Sequence, residues 1–252
     1  MTALITGASS GIGSDIARRL DRMGIGTILS ARSTERLEKL SGELKNVVAV
    51  IPADLSKPSE CVRLYKEASA MGVDILVNNA GFGVYGGFLS TPLKAEMELV
   101  NVNIKAVHIL TKLFLRDFVK RDGGYILNVS SSAAFMPGPL FSSYYASKNY
   151  VQRLSEAIYE ELRRVGSKVY IGTLCPGPVD TRFNKTAGIS GFNGIRSMSS
   201  RQVADIAVRE MFNRRFLIVP SLSMRLLIPL SRLAPLRLLL GVVYLLQNGK
   251  QG

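Results

Sequence analysis

The sequence has few of the residue types on which many catalytic centres depend. It contains no tryptophan, one histidine (His108) and two cysteines (Cys61 and Cys175). A single histidine leaves no histidine-rich metal site, and a Ser-His-Asp triad would have to use that one residue. The two cysteines are too far apart in sequence for a metal-ligand spacing, so we expect free thiols in a reducing compartment and no bound metal.

Long hydrophobic runs are also missing from the sequence, and we expect no secretion signal. The longest apolar run, residues 238–246, has nine residues, whereas a membrane-spanning helix needs roughly 18. The chain opens directly on a strand pattern at residues 2–6, which leaves no room for a signal segment. We therefore expect a cytoplasmic protein.

Acidic residues are in deficit. The 252 residues include 32 Lys+Arg and 19 Asp+Glu, a formal net charge of +13, and residues 211–252 contain six basic side chains and no acidic one. Because the basic residues are not interleaved with aromatics and no recognition module is visible, nucleic acid is not an expected partner. The 47% of hydrophobic residues instead indicates a globular chain with a sizeable core.

Short hydrophobic runs alternate with longer amphipathic segments along most of the chain. Strands are predicted at residues 3–6, 27–30, 47–51, 74–77, 125–129, 168–174 and 216–219. Helices are predicted at residues 12–23, 34–44, 58–71, 92–120, 144–165 and 201–212. This alternation predicts an α/β fold, a doubly wound Rossmann-type parallel sheet of about seven strands. We expect one catalytic domain, residues 1–220, and a C-terminal helical extension, residues 221–252.

Glycines cluster at the first predicted strand-to-helix turn, which reads TGASSGIG over residues 6–13. Such glycines let the backbone approach a pyrophosphate, whose charge is favoured at the N-terminus of the following helix. The turn therefore predicts a dinucleotide cofactor held by Gly7, Ser9, Ser10, Gly11, Ile12 and Gly13.

Further candidate cofactor residues follow the later predicted strands. They are Asp54 and Leu55, then Asn79, Ala80 and Gly81, and finally Pro176, Gly177, Val179 and Thr181. Since ligands of open α/β sheets bind outside the carboxyl ends of the strands, we expect these residues to meet in one crevice. Asn79 could contact the cofactor or hold two loops together, and the sequence does not decide between these roles.

A tyrosine and a lysine four residues apart, Tyr144 and Lys148, share one face of a predicted helix. A phenol with a pKa near 10 transfers protons poorly at neutral pH, but a nearby ammonium group stabilises the phenolate. Ser131 lies after the fifth predicted strand, where its hydroxyl could orient a substrate carbonyl. The flanking Ser130 and Ser132 could make that contact instead.

Taken together, these motifs resemble the short-chain dehydrogenase/reductase family in its single-domain form, over roughly residues 2–220. The resemblance rests on TGASSGIG, NNAG, the serine thirteen residues before the tyrosine, YxxxK and the Pro-Gly after the sixth strand. It implies an oxidoreductase that interconverts a carbonyl and a secondary alcohol, with hydride from a nicotinamide cofactor and the proton from Tyr144. It also implies that Lys148 assists Tyr144 and that both contact the cofactor, with Ser131 as the orienting hydroxyl. Asn103, rather than the nearby Asn101, would be the fourth catalytic residue.

The end of the second predicted strand indicates which cofactor is used. NAD-preferring members of the family usually carry an acidic residue there, whereas residues 29–34 of this chain contain no carboxylate and the first one after the strand is Glu35. Arg32 can pair with a 2′-phosphate and stack on adenine, so we expect NADP(H).

Residues 181–200 resemble the family's substrate lid by position. Their apolar content, and that of residues 82–85, favours a small hydrophobic substrate such as a 3-oxoacyl chain, a ketone or a steroid. Two other readings stay open: a non-catalytic dinucleotide-binding regulatory protein, and an extended-type epimerase or dehydratase. The latter would need more sequence after the sixth strand.

A homodimer or homotetramer is expected from the two long helices at residues 92–120 and 144–165, which commonly pair between subunits in this family. The supporting sequence feature is a set of apolar residues larger than one helix face needs: Leu99, Val107, Leu110, Leu113 and Phe114.

The C-terminal extension combines leucines with arginines and lacks acidic residues. We expect Pro229 and Pro235 to divide it into short helices. Its leucines could pack on the substrate pocket or on a neighbouring subunit, or they could form a peripheral contact with an anionic membrane.

Overall fold

A computed structural model describes residues 1–181, 183, 187 and 197–249, without the side chain of Arg232. The strands in this part of the chain are β1 (Thr2–Thr6), β2 (Gly26–Ser30), β3 (Val47–Val50), β4 (Ile75–Asn78), β5 (Tyr125–Val129), β6 (Tyr170–Leu174), β7 (Val179–Asp180), β8 (Met198–Ser199) and β9 (Leu217–Ile218).

The α-helices of the described residues are α1 (Gly11–Asp21), α2 (Thr34–Ser41), α3 (Pro58–Ser69), α4 (Leu93–Val100), α5 (Val107–Lys120), α6 (Ser142–Arg164), α7 (Ser200–Phe212), α8 (Leu222–Leu233) and α9 (Leu236–Asn248). A π-helical segment, Asn101–Ala106, joins α4 to α5, and a 3₁₀ turn, Ser132–Phe135, follows β5.

The strands form a parallel sheet in the order β3-β2-β1-β4-β5-β6-β9, seven strands within the described residues. Neighbouring strands pair in parallel throughout this sheet, and β7 and β8 form a small separate parallel pair. The strand order reverses between β1 and β4, where ligands of such sheets bind. The predicted α/β fold is confirmed.

Helices cover both faces of the sheet because the central strands are hydrophobic on both sides. On one face α1, α2 and α7 bury Ile16, Leu37 and Val208 against the strands. On the other face α3 and α5 bury Leu64 and Phe114. Both cores leave the carboxyl edge of the sheet to the loops that follow the strands.

The predicted helix at residues 92–120 is continuous through the π-helical segment. The apolar residues from which we inferred an intersubunit face lie in the protomer's own interior. Leu99, Val107, Leu110 and Phe114 are buried, and Leu113 is partly buried. The sequence argument for an oligomer was therefore wrong, because these side chains are needed by the core beside the sheet. The expectation of an oligomer itself stays a prediction.

In the C-terminal extension Pro235 separates α8 from α9, as predicted, but Pro229 lies inside α8. The helix tolerates the missing backbone hydrogen bond because Met224 and Ile228 pack against Ala134 and Cys175. No helix of the described residues is long and apolar enough to cross a membrane. Cys61 and Cys175 are buried free thiols, as predicted.

Candidate functional site

The loops that follow the strands enclose one large cavity at the carboxyl edge of the sheet. Its volume is about 650 Å³. Every residue predicted to bind the cofactor lines this cavity except Gly13. Of the predicted catalytic residues, Ser131, Tyr144 and Lys148 line it and Asn103 does not. The structure therefore brings residues from six loops into one site.

The glycine turn between β1 and α1 has the geometry of an anion cradle. Gly7 has φ +64° and Gly11 has φ +58°, a region that favours glycine. A Cβ at position 7 would lie 2.8 Å from the Ala80 Cα, so the turn packs directly on the loop after β4. No side chain caps the N-terminus of α1 at Ser10. The first amides of α1 are thus free of side-chain caps, which suits an incoming diphosphate.

Gly13 acts behind the turn rather than in the cavity wall. A Cβ there would lie 2.4 Å from Asn79 Nδ2 and 2.5 Å from the Gly7 carbonyl oxygen. Only a glycine permits this packing of α1. Gly13 does not line the cavity, so its position does not support the prediction that it contacts the cofactor directly.

Asn79 ties the loops after β1 and β4 together. Its Nδ2 donates to the carbonyl oxygens of Thr6 and Gly7, at 3.0 and 3.1 Å. Its backbone N–H donates to Thr6 Oγ1 at 3.0 Å. Asn79 also lines the cavity, so both roles that the sequence left open are compatible with its position.

Tyr144, Lys148 and Ser131 form one group in the cavity wall. Tyr144 and Lys148 lie one turn apart on α6, and Lys148 Nζ is 5.8 Å from the centre of the Tyr144 ring. Lys148 Nζ also donates to the Val129 carbonyl oxygen at 2.9 Å. The Ser131 side chain lies beside Tyr144, close enough to influence the pKa of its phenol. Ser130 points elsewhere and donates to the Lys148 carbonyl oxygen at 2.9 Å.

Burial opposes charge on both members of the tyrosine–lysine pair. It raises the pKa of Tyr144 to about 12, although the Ser131 side chain acts in the opposite direction. It lowers the pKa of Lys148 to about 8. Tyr144 is therefore a protonated phenol at neutral pH, ready to donate, beside a lysine that titrates close to the physiological range.

Asn103 lies in the π-helical segment behind the Ser131–Tyr144–Lys148 group. It is fully buried, and its Nδ2 donates to the Phe82 carbonyl oxygen at 2.9 Å and to Ser147 Oγ at 3.0 Å. The Phe82 N–H donates back to Asn103 Oδ1 at 3.1 Å. These bonds tie the loop after β4 to α6 beside Lys148, so the geometry gives Asn103 a positioning role rather than direct contact with the cavity. Asn101 does not line the cavity either.

Gly81 lies against both Asn103 and Lys148. A Cβ at this position would lie 3.1 Å from Asn103 Oδ1 and 3.3 Å from Lys148 Nζ. Any larger residue would therefore press on the lysine, whereas glycine keeps this side of the cavity clear for a cofactor. Together with the turn at Gly7 and Gly11, this fits a bound dinucleotide.

Basic residues stand at the end of the cavity beyond β2. Arg32, Ser33 and Arg36 line this end, and both guanidinium groups are exposed. Within the described residues neither arginine makes an ion pair. Arg36 was missed in the sequence, although its spacing of four from Arg32 on a helix start could have identified it.

Aromatic side chains line the other end of the cavity. The Phe141 and Tyr144 rings stack at 4.6 Å between centroids, and Phe183 lies 5.2 Å from Tyr144. Tyr145 also lines this end. Apart from Thr181, Phe183, Ala187 and residues 197–200, the predicted lid at 181–200 lies outside the described residues.

The C-terminal extension closes the aromatic end of the cavity, a contribution that motifs did not reveal. Its lining residues are Met224, Leu227, Val243, Leu246 and Gln247. The Tyr85 hydroxyl donates to the Gln247 carbonyl oxygen at 2.7 Å, and Gln247 Nε2 donates to the Tyr145 hydroxyl. The inner faces of α8 and α9 thus pack on the pocket, one of the two roles that the sequence left open.

Comparison with known proteins agrees with this arrangement. The family model for short chain dehydrogenases matches residues 1–189. Human 17-beta-hydroxysteroid dehydrogenase type 3 is 34% identical over 190 residues, which are 73% of this chain and 60% of that protein. Human very-long-chain 3-oxoacyl-CoA reductase is 31% identical over 191 residues, 73% of this chain and 61% of that protein. The chain thus spans about three fifths of the length of these two relatives.

A solved structure extends the similarity beyond the sequence. The short-chain dehydrogenase from Sphingobium yanoikuyae, in complex with NADPH, superposes with a TM-score of 0.82 and 31% identity over 88% of each chain. The family model matches most of the chain, and the relatives agree with it in sequence and in fold. The protein therefore belongs to the short-chain dehydrogenase/reductase family of oxidoreductases.

Proposed function

We propose that this protein is an NADP(H)-dependent dehydrogenase/reductase that interconverts a carbonyl and a secondary alcohol on a hydrophobic substrate. The observation that carries the proposal is the meeting of Ser131, Tyr144 and Lys148 in the wall of the cavity that also contains the glycine turn. A retained proton donor beside a cofactor cradle is what a hydride-transfer enzyme needs from its protein.

The chain's own residues supply the proton and the orientation. When bound, the nicotinamide supplies or accepts the hydride. In the reducing direction Tyr144 donates its phenolic proton to the carbonyl oxygen, and the Ser131 hydroxyl donates a hydrogen bond to the same oxygen. The Lys148 ammonium stabilises the phenolate that remains. Asn103 acts by holding the loop at Phe82 against α6.

NADP(H) is the proposed cofactor because the cavity-lining residues that follow β2 include two arginines and no carboxylate. Arg32 and Arg36 line that end with Ser33, and a doubly charged 2′-phosphate would find two guanidinium groups there. The S. yanoikuyae relative, whose structure contains NADPH, is consistent with this choice. The glycine turn, Asp54 and Asn79 would hold the rest of the dinucleotide.

The proposed substrate is a bulky hydrophobic ketone or alcohol, such as a 3-oxoacyl chain or a steroid. Phe141 and Phe183 contact the Tyr144 ring, and Val243 and Leu246 line the same cavity. Two human relatives are named for a hydroxysteroid and a very-long-chain 3-oxoacyl-CoA, substrates that share a large apolar body. We further propose that residues 1–220 form the catalytic domain and that residues 221–252 form an extension closing this substrate end.

The two other readings fit the structure less well. A non-catalytic nucleotide sensor has no use for a protonated phenol placed beside a serine and a buried lysine in the cavity wall. An extended-type epimerase or dehydratase would need a substrate domain after β6, whereas the described residues beyond β6 form α7, α8, α9 and short strands.

A single substitution tests the proposed chemistry. Tyr144→Phe removes the proton donor and leaves the cavity intact, so turnover of a bulky ketone with NADPH should fall at least about a hundredfold. The affinity for NADPH, measured by fluorescence titration, should change little. Tyr150→Phe, an exposed tyrosine on the same helix, is the matched control and should keep full activity. Near-normal turnover by Tyr144→Phe would contradict the assignment.

A further inference from the structure

The two C-terminal helices expose apolar side chains on the side that faces away from the protein. On α8 the exposed residues include Leu222, Leu226, Leu230 and Leu233, with 60–83% of each side chain accessible. One helical face carries all four, opposite the buried Met224 and Ile228. A helix on a water-facing surface would show the reverse pattern, so this face is built for contact with something apolar.

The second helix repeats the pattern. Leu238, Val242 and Leu245 on α9 are exposed, while Val243 and Gln247 on the opposite side are buried in the cavity wall. We call the exposed apolar side of α8 and α9 the outer face. The outer face is separate from the two hydrophobic cores that cover the sheet, because no residue of α8 or α9 belongs to either core.

Positive charge borders the outer face. Arg225 on α8 and Arg237 on α9 are exposed, and residues 211–252 contain no acidic side chain. Arg225 also lines a cleft of about 470 Å³ beside α8, together with Arg209, Arg215 and Glu210. Glu210 pairs with both Arg209 and Arg215, at 2.9 and 3.8 Å, so the cleft holds three guanidinium groups and one carboxylate. The cleft keeps a net positive charge.

This charge distribution selects the occupant of the outer face. In a two-fold contact between copies of the chain, the face would meet itself and the arginines would face arginines with no acid between them. A membrane surface that contains anionic lipid offers apolar depth for the leucines and negative charge for the arginines at once.

We propose that the outer face of α8 and α9 docks on an anionic membrane surface, with the arginines at the headgroups and the leucines among the upper acyl chains. The inner side of the same helices lines the cavity, so docking places the cavity wall against lipid. The docking does not depend on the chemistry proposed above, because it uses residues outside the catalytic group.

Co-sedimentation with vesicles tests the docking with the full chain. Vesicles of phosphatidylcholine with phosphatidylserine should bind the protein, pure phosphatidylcholine vesicles should bind it more weakly, and added salt should release it. The double variant Leu226→Gln/Leu230→Gln should lower the partition coefficient about tenfold or more. Its control is Val119→Gln/Val165→Gln, which replaces one exposed valine on α5 and one directly after α6 and should bind as the wild type does.

A second pair of variants separates charge from apolar contact. Arg225→Gln/Arg237→Gln should remove most of the preference for phosphatidylserine, whereas Arg163→Gln/Arg164→Gln on α6 should not. NADPH affinity and thermal unfolding verify that each variant is folded. The proposal is overturned if the wild type stays in the supernatant at low salt, or if the control variants lose as much binding. It is also overturned if the leucine variant binds vesicles normally but loses oligomer mass by light scattering, because a second copy would then cover the face.

Discussion

At the scale of single residues, the burial of Lys148 connects the structure to the pH dependence of catalysis. Burial lowers the pKa of this lysine to about 8, so the ammonium loses its proton as the pH rises through that value. The reduction step needs the ammonium to stabilise the Tyr144 phenolate. We therefore expect kcat for ketone reduction to fall above pH about 8, approaching tenfold per pH unit.

A pH–rate profile at saturating NADPH measures this effect. The phosphate of the cofactor titrates near pH 6, so its ionisation cannot produce a limb above pH 8. A rate that stays level up to pH 10 in the wild type would show that the charge of Lys148 is not needed in the rate-limiting step.

Arg32 is the residue through which the choice of cofactor can be measured. Arg32→Ala should weaken NADPH binding by one to two decades, since a hydrogen bond to a charged group contributes roughly 1.5–3 kcal/mol. NADH, which lacks the 2′-phosphate, should bind as before. Arg36→Ala should act in the same direction, and Arg164→Ala, an exposed arginine of α6, should change neither affinity. The dissociation constants of NADPH and NADH, measured by fluorescence titration, test this prediction. If Arg32→Ala weakened the binding of both cofactors equally, the role of Arg32 would be structural.

At the scale of elements, α9 lines the aromatic end of the cavity, which we propose binds the substrate, and α1 begins at the end proposed for the cofactor. Gln247 anchors the end of α9 by its bonds to Tyr85 and Tyr145. Gln247→Ala should loosen this wall and raise KM for a bulky ketone about tenfold, which corresponds to ~1.4 kcal/mol, while the NADPH dissociation constant stays the same. The control is Leu245→Ala on the outer side of the same helix, 71% exposed, which should leave KM unchanged. An unchanged KM in the Gln247 variant, or a matching change in NADPH affinity, would contradict this division of labour.

At the scale of the whole molecule, we expect a homodimer or homotetramer built on α4, α5 and α6. Met97 on α4 and Tyr150 and Tyr159 on α6 are exposed large side chains on these elements. Met97→Lys should shift the mass measured by light scattering toward the monomer, because it places a charge in an apolar contact. Met23→Lys, at a methionine of similar exposure near the end of α1, should not. A wild-type monomer at micromolar concentration would refute the expectation.

The sequence by itself determined the sheet and the glycine turn between β1 and α1. Short hydrophobic runs that alternate with amphipathic segments can be recognised from the sequence alone, and this alternation predicted the parallel sheet with its helices. Gly7, Gly11 and the Tyr144–Lys148 pair lie in short motifs whose spacing carries their geometry, because a turn or a helix fixes the distance between neighbours. The parallel topology then gathers every loop after a strand at one edge.

Only the tertiary structure decided which residues from distant parts of the chain line the cavity at the carboxyl edge of the sheet and which lie behind it. Asn103 is withdrawn from the cavity by its bonds to Phe82 and Ser147, and Gln247 reaches Tyr145 across more than a hundred residues. The tertiary structure also buries Leu110 and Phe114 in the core, whereas most leucines of α8 remain exposed. Local periodicity shows which face of a helix is apolar. It does not show what that face packs against, because this depends on which arrangement of the whole chain buries the largest apolar area.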